Sequence, residues 1–123
     1  MRKLVFINLS NHPSNNWNPK QSDAALSLAE KIMDIPFPNV PPTDHVEDVA
    51  AMVKDVLNTI HKIARWRDII IHVMGEATFL AQMVLNAPPS VALICSTVER
   101  VSFEQKDGTK VYTFTFCKFR NLR

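Results

Sequence analysis

The stretch Ile69-Ile70-Ile71-His72-Val73-Met74-Gly75-Glu76-Ala77-Thr78-Phe79 constrains the fold more than any other part of the chain. A run of β-branched residues with little alternation is the pattern of a strand covered on both faces, as in the middle of a parallel sheet. The run stops at Gly75, where the backbone is free to turn sharply. A helical pattern then begins and carries Phe79, Leu80, Met83 and Val84 inward until Pro88-Pro89 stops it. A helix starting there aims unpaired N–H groups and its positive dipole end beyond the strand, where an anion could sit. Gly75 and Gly108 are the only glycines in the chain, so a G-x-G-x-x-G fingerprint and a Walker A loop are both excluded.

The flanking sequence extends the strand-turn-helix pattern. Lys3 to Leu9 predicts a first strand, and Ser10-Asn11-His12-Pro13-Ser14-Asn15-Asn16-Trp17 a loop. Asn18 before Pro19 fits an N-cap with proline at the first helical position, and Ala25, Leu28, Ala29 and Ile32 continue that helix from about Pro19 to Met33. Four prolines between Asp34 and Pro42 leave room only for a short edge strand near Ile35 to Phe37, or for an extended crossing. Thr43 or Asp44 is placed to cap the clearest helix, whose stripe is Val46, Val49, Ala50, Val53, Leu57, Ile60 and Ala64, ending near Arg65-Trp66-Arg67. Val91 to Cys95 predicts a further core strand ending at Ser96-Thr97. Asp107-Gly108 then marks a hairpin between strands over Val98 to Gln105 and Lys110 to Phe119. This order predicts an α/β domain with parallel early strands, helices on both faces and a C-terminal β-hairpin.

Composition narrows the class. A chain of 123 residues, 46% hydrophobic and 21% charged, is expected to form one globular domain over residues 1–123. The basic start Met1-Arg2-Lys3 is followed by an apolar segment cut short at Asn8 and Ser10, which reads as a first strand in a cytoplasmic protein rather than a signal peptide. No apolar run is long enough to span a bilayer, so no membrane partner is expected. Cys95 and Cys117 lie in apolar runs without C-x-x-C spacing and read as reduced core thiols. A net charge of +2 is too mild to demand duplex nucleic acid but permits a small anionic ligand.

In an open parallel sheet, ligands bind beyond the carboxyl ends of the strands. Three expected strand ends carry polar residues: Ser10-Asn11-His12, Gly75-Glu76, and Ser96-Thr97 with Arg100 nearby. His12 is a candidate acid or phosphate partner, against the reading of a solvated loop histidine. Glu76 is a candidate base or ribose acceptor, against a carboxylate that complements the helix dipole. Thr78 either contacts phosphate or supports the helix start. Ser96, Thr97 and Arg100 offer hydroxyls and a guanidinium fork, against hydrogen bonds internal to a turn. Trp17 is placed to stack on a base or to cover the first helix. His72 reads as a hydrogen-bonded core or interface histidine rather than a ligand. No His, Cys, Asp or Glu spacing indicates a metal, no cofactor is expected, and no Ser-His-Asp or Cys-His nucleophile arrangement is indicated.

Asn8-Leu9-Ser10-Asn11-His12-Pro13 with Trp17, Met74-Gly75-Glu76-Ala77-Thr78-Phe79, and Ser96-Thr97-Val98-Glu99-Arg100 together resemble the small Rossmann-like proteins encoded beside type III CRISPR systems. These resemble stand-alone CARF domains. The resemblance implies a Rossmann-like three-layer domain with a mainly parallel sheet, and a homodimer in antiviral defense that binds a cyclic oligoadenylate. It also implies, for the ring nucleases among such proteins, metal-independent cleavage in which the ribose 2′-hydroxyl attacks its own phosphate. The matching positions are Ser10, Asn11 and His12, then Gly75, Glu76 and Thr78, then Ser96, Thr97 and Arg100. A free nucleotide or nucleoside enzyme using Glu76, and an interaction module using Tyr112, Phe114 and Phe116, are the competing expectations.

Overall fold

A computed structural model of the chain describes residues 4–123. The expected start of the first strand at Lys3, like Arg2 before it, lies outside the described residues. Five strands form one mixed sheet in the order β2-β1-β3-β4-β5, with β1 Val5–Ser10, β2 Lys31–Pro36, β3 Ile69–Val73, β4 Ala92–Glu104 and β5 Lys110–Asn121. The first four strands are parallel, and β5 runs antiparallel to β4. The fold is therefore α/β with a mostly parallel sheet and a C-terminal hairpin.

Three helices pack on the two faces of this sheet. Helix α1, Pro19–Leu28, covers the face of Phe6, where Ala25 and Ile94 are also buried. Helices α2, Val46–Ile63, and α3, Ala77–Asn86, cover the opposite face of Val5, Ile7, Leu9 and Ile71 through Val53, Ile60, Phe79 and Met83. The alternation along β1 explains this division, since odd-numbered residues point to one face and even-numbered residues to the other. All six residues of β1 are buried, as its central place in the sheet requires.

The structure corrects several sequence-based boundaries. Helix α1 keeps the expected cap, with the Asn18 side chain accepting from Gln21 N at 2.9 Å, but it ends at Leu28 rather than Met33. Ile32 belongs to β2, where it shares the α1 face, while Met33 and Ile35 pack toward α2 and α3. Pro36 closes that strand, tolerated because β2 is an edge. The cap of α2 is His45, not Thr43 or Asp44, and the Asp48 carboxylate reaches back to accept from His45 N at 3.0 Å. At its far end the Arg67 side chain donates to Ala64 O at 2.7 Å, and Arg65 and Trp66 turn through positive φ values of 54° and 58°.

Strand β4 does not end at Ser96-Thr97. It runs on past them to Glu104, and β5 absorbs the change in twist with one extra residue, Cys117, between the pairs Thr97–Lys118 and Val98–Phe116. Gly108, at φ 85°, closes the hairpin, where the Asp107 carboxylate accepts from Thr109 N at 2.9 Å. The final residue, Arg123, donates to the carbonyls of Val84, Ala87, Pro88 and Val91 at 2.6–3.1 Å, which ties the end of α3 to the last strand.

Candidate functional site

Polar residues inside an otherwise apolar sheet locate the site. The strand register places Asp34, Asn8 and His72 side by side on β2, β1 and β3, all on the face covered by α1. Ile94 is next in that row, and Ser96 lies two residues further along β4 on the same face. Asn8 is 1% exposed and His72 2% exposed, so their polar atoms need partners. Asn8 Nδ2 donates to Asp34 Oδ1 at 2.8 Å and to the His12 carbonyl at 2.9 Å. His72 Nδ1 lies 2.9 Å from Asn8 Oδ1, and His72 Nε2 lies 2.7 Å from Ser96 Oγ.

The protons in this chain follow from its ends. A carboxylate and a carbonyl only accept, so the Asn8 amide nitrogen faces them and its oxygen faces His72. Nδ1 of His72 therefore carries a proton. Burial lowers the pKa of His72 from 6.5 to about 4, so the ring is neutral at neutral pH and Nε2 accepts from the Ser96 hydroxyl. Gln21 Nε2 donates to the same Ser96 Oγ at 3.2 Å. The imidazole stacks on Phe6 at 5.8 Å and meets the edges of Trp17 and Phe119 at 5.6 and 5.4 Å, which fixes its plane.

Above this row opens a cleft of about 400 Å³ at the carboxyl ends of β1 and β3, flanked by the middle of β4 at Ser96 and Val98. Its floor includes Ser10, His72 and Ser96, and its walls include Trp17, Phe114 and Phe116. Among the described residues, the only ionisable side chains lining it are those of His12 and His72. The cleft is thus uncharged at neutral pH around its buried floor, with aromatic walls and hydroxyl and amide groups, which suits a planar ring attached to a polar neutral moiety.

The expected site residues divide among three places. Ser10, His12, Trp17 and Ser96 meet in the cleft. The His12 backbone contributes most, its carbonyl accepting from Asn8, from Trp17 Nε1 at 3.1 Å and from Ser10 Oγ at 3.2 Å. Asn11, Gly75 and Glu76 instead line a separate depression of about 510 Å³ beside Phe37. The ring of Phe37 occupies the space that a Gly75 side chain would need, so the glycine serves this close approach. Glu76 is the N-cap of α3, its carboxylate accepting from Phe79 N at 2.9 Å and Thr78 N at 3.1 Å. Those backbone bonds hold its pKa below the usual carboxylate value, and they occupy the amides that an anion would use.

Thr97 and Arg100 lie on the long hairpin. Thr97 Oγ1 donates to Lys118 O at 3.0 Å, bracing the bulge, and the Arg100 guanidinium sits 3.9 Å over the Tyr112 ring. Sequence reasoning missed Asn8, Gln21 and Asp34 as members of the site and treated His72 as core alone. A histidine and serine 24 residues apart meet here because β3 and β4 pair in register. Among the described residues, no group of three or more His, Cys, Asp or Glu side chains could hold a metal ion. No described helix is long and apolar enough to cross a membrane.

Residues 4–120 match the profile of the family described as Uncharacterized protein MJ1673, and the chain belongs to that family. No curated protein and no solved structure matches the chain.

Proposed function

We propose that this member of the MJ1673 family is a Rossmann-like homodimer that binds a cyclic oligoadenylate at the carboxyl edge of its sheet and cleaves it without a metal. The observation that carries this reading is the cleft over Asn8, His72 and Ser96, walled by Trp17. An indole at the wall offers stacking for a base, and the hydroxyl and amide groups of Ser10, Gln21 and Ser96 offer partners to a ribose. Ligand sites commonly span about 300–1,000 Å³, so a cleft of about 400 Å³ takes part of a cyclic oligonucleotide and not the whole ring. A two-fold dimer answers this by presenting the same patch twice to a symmetric ligand.

The phosphates other than the one attacked are assigned to the rim. The floor carries no cation, and the amides at the start of α3 are taken by Glu76. Arg100 pairs across the hairpin with Phe114, which lines the cleft, so its guanidinium is the candidate phosphate partner. The resemblance of the three strand-end motifs to those of CRISPR-associated proteins supports the same ligand class and a role in antiviral defense. A nucleotide enzyme using Glu76 as base finds less support, since both carboxylate oxygens are engaged in capping. Titration of the purified protein with cyclic tetra- and hexaadenylate, with products resolved by chromatography, should give saturable binding and linear products. Absence of both with both rings overturns the reading.

A further inference from the structure

We infer that His72, held by Asn8, and Ser96 form a proton relay whose outer end, the Ser96 hydroxyl, deprotonates a ribose 2′-hydroxyl seated in the cleft. The relay deepens the cyclic-oligoadenylate reading and rests on it for its substrate. Four features of the structure point to it. Ser96 Oγ donates to His72 Nε2 at 2.7 Å while lining an open cleft. His72 Nδ1 is anchored at 2.9 Å on Asn8, which is itself fixed on the Asp34 carboxylate at 2.8 Å. The imidazole plane is clamped by Phe6, Trp17 and Phe119. Gln21 Nε2 donates to Ser96 Oγ at 3.2 Å, beside the point where negative charge would grow.

A hydroxyl oriented by a histidine that is in turn oriented by an amide is the arrangement by which a serine proton is removed. In the reaction the ribose 2′-hydroxyl gives its proton to Ser96 Oγ as the Ser96 proton passes to His72 Nε2. The 2′-oxygen bonds to the adjacent phosphorus, and the bond from phosphorus to the 5′-oxygen breaks. The imidazolium then returns its proton through Ser96 to the departing 5′-oxygen. The products are a 2′,3′-cyclic phosphate and a free 5′-hydroxyl, so no metal ion or oxidant enters the balance. Ser96 is the catalytic residue, while His72 acts through it and Asn8 positions His72.

Ser10 supplies an internal control. It lines the same cleft, but its hydroxyl is bonded to Asn8 Oδ1 at 2.9 Å and to the His12 carbonyl and touches no base. Incubation of the whole protein with a fluorophosphonate probe at neutral pH, followed by peptide mass spectrometry, reads hydroxyl activation without any nucleotide. The expected result is an adduct on Ser96 at least about tenfold faster than on Ser10, absent in Ser96→Ala and slowed about tenfold or more in His72→Gln. Circular dichroism checks that each variant is folded, and the wild-type adduct decides the matter if His72→Gln is not. No adduct, or equal labelling of Ser10 and Ser96, overturns the relay.

Single-turnover cleavage at saturating cyclic tetraadenylate separates the two ideas. A fall of about 100-fold or more in Ser96→Ala supports the relay, as expected for loss of general-base assistance. Cleavage by Ser96→Ala at the wild-type rate overturns the relay and leaves the ligand reading standing. Labelled Ser96 in a protein that binds neither ring keeps the activated hydroxyl and overturns the ligand reading.

Discussion

At neutral pH the buried imidazole of His72 is uncharged, and that state links stability to pH. Burial lowers its pKa in the folded chain to about 4, against 6.5 when exposed. Between those values the unfolded chain binds a proton that the folded chain does not, so stability is complete above pH 6.5 and declines as pH falls toward 4. The loss is roughly 3 kcal/mol over that interval from this group alone. Urea unfolding at pH 7 and pH 4 should therefore show a smaller difference in His72→Gln than in the wild-type protein, because glutamine does not titrate there. Equal pH dependence in the two proteins would remove His72 as the source. The same burial was legible in part. Asn8 interrupts an apolar run and His72 lies inside another, and a polar residue in a buried strand needs a partner. Which partner each finds was not legible, since it depends on the register between strands far apart in sequence.

Among the elements, the turn from β3 into α3 shows how a correct secondary-structure reading can leave out a packing reason. Strand, glycine and helix all occur where the sequence places them, and the Phe37 ring fills the space that a Gly75 side chain would need, which the local sequence does not display. Phe37 in turn packs against Phe79 at 4.8 Å, holding the segment after β2 onto α3. Gly75→Ala should cost about 1–3 kcal/mol by forcing that ring out, and far less in a Phe37→Ala background. Chemical denaturation of the two single variants and the double variant measures the coupling. Additive effects would mean that Phe37 does not account for the glycine. At the start of the same helix, Glu76→Gln keeps one acceptor oxygen but loses the second backbone bond and the charge, so it should lower the melting temperature, and Glu76→Ala, which removes both acceptors, should lower it further. Similar melting temperatures for both would contradict the capping role. The misreading of β2 has a related cause: Ile32 fits a helical spacing from Ala25 and Leu28 and also an alternation with Met33, and only pairing with β1 decides between them.

Across the whole molecule, the long hairpin is the part that the single chain leaves unsupported. Strand β4 pairs with β3 only from Ala92 to Ile94, and seven cross-strand pairs from Val98–Phe116 to Glu104–Lys110 extend without a third strand. A two-stranded ribbon alone in water is marginal at best. Val98 is 55% exposed and Phe114 66% exposed, and both also line the cleft, so the uncovered face of the ribbon is continuous with the candidate site. A second copy laid against that face would bury these residues and close the cleft from its open side, which is the geometry that the proposed symmetric ligand requires. Val101 and Phe103 lie on the opposite face and make a matched comparison. Sedimentation should show a dimer for the wild-type chain, at least about tenfold weaker association for Phe114→Asp, and little change for Phe103→Asp, since a charge on the buried patch must be desolvated. A monomeric wild-type chain, or dissociation by Phe103→Asp in place of Phe114→Asp, would refute this arrangement. The cleft would then be a site that one chain completes alone, and its open side would be the entrance for the ligand.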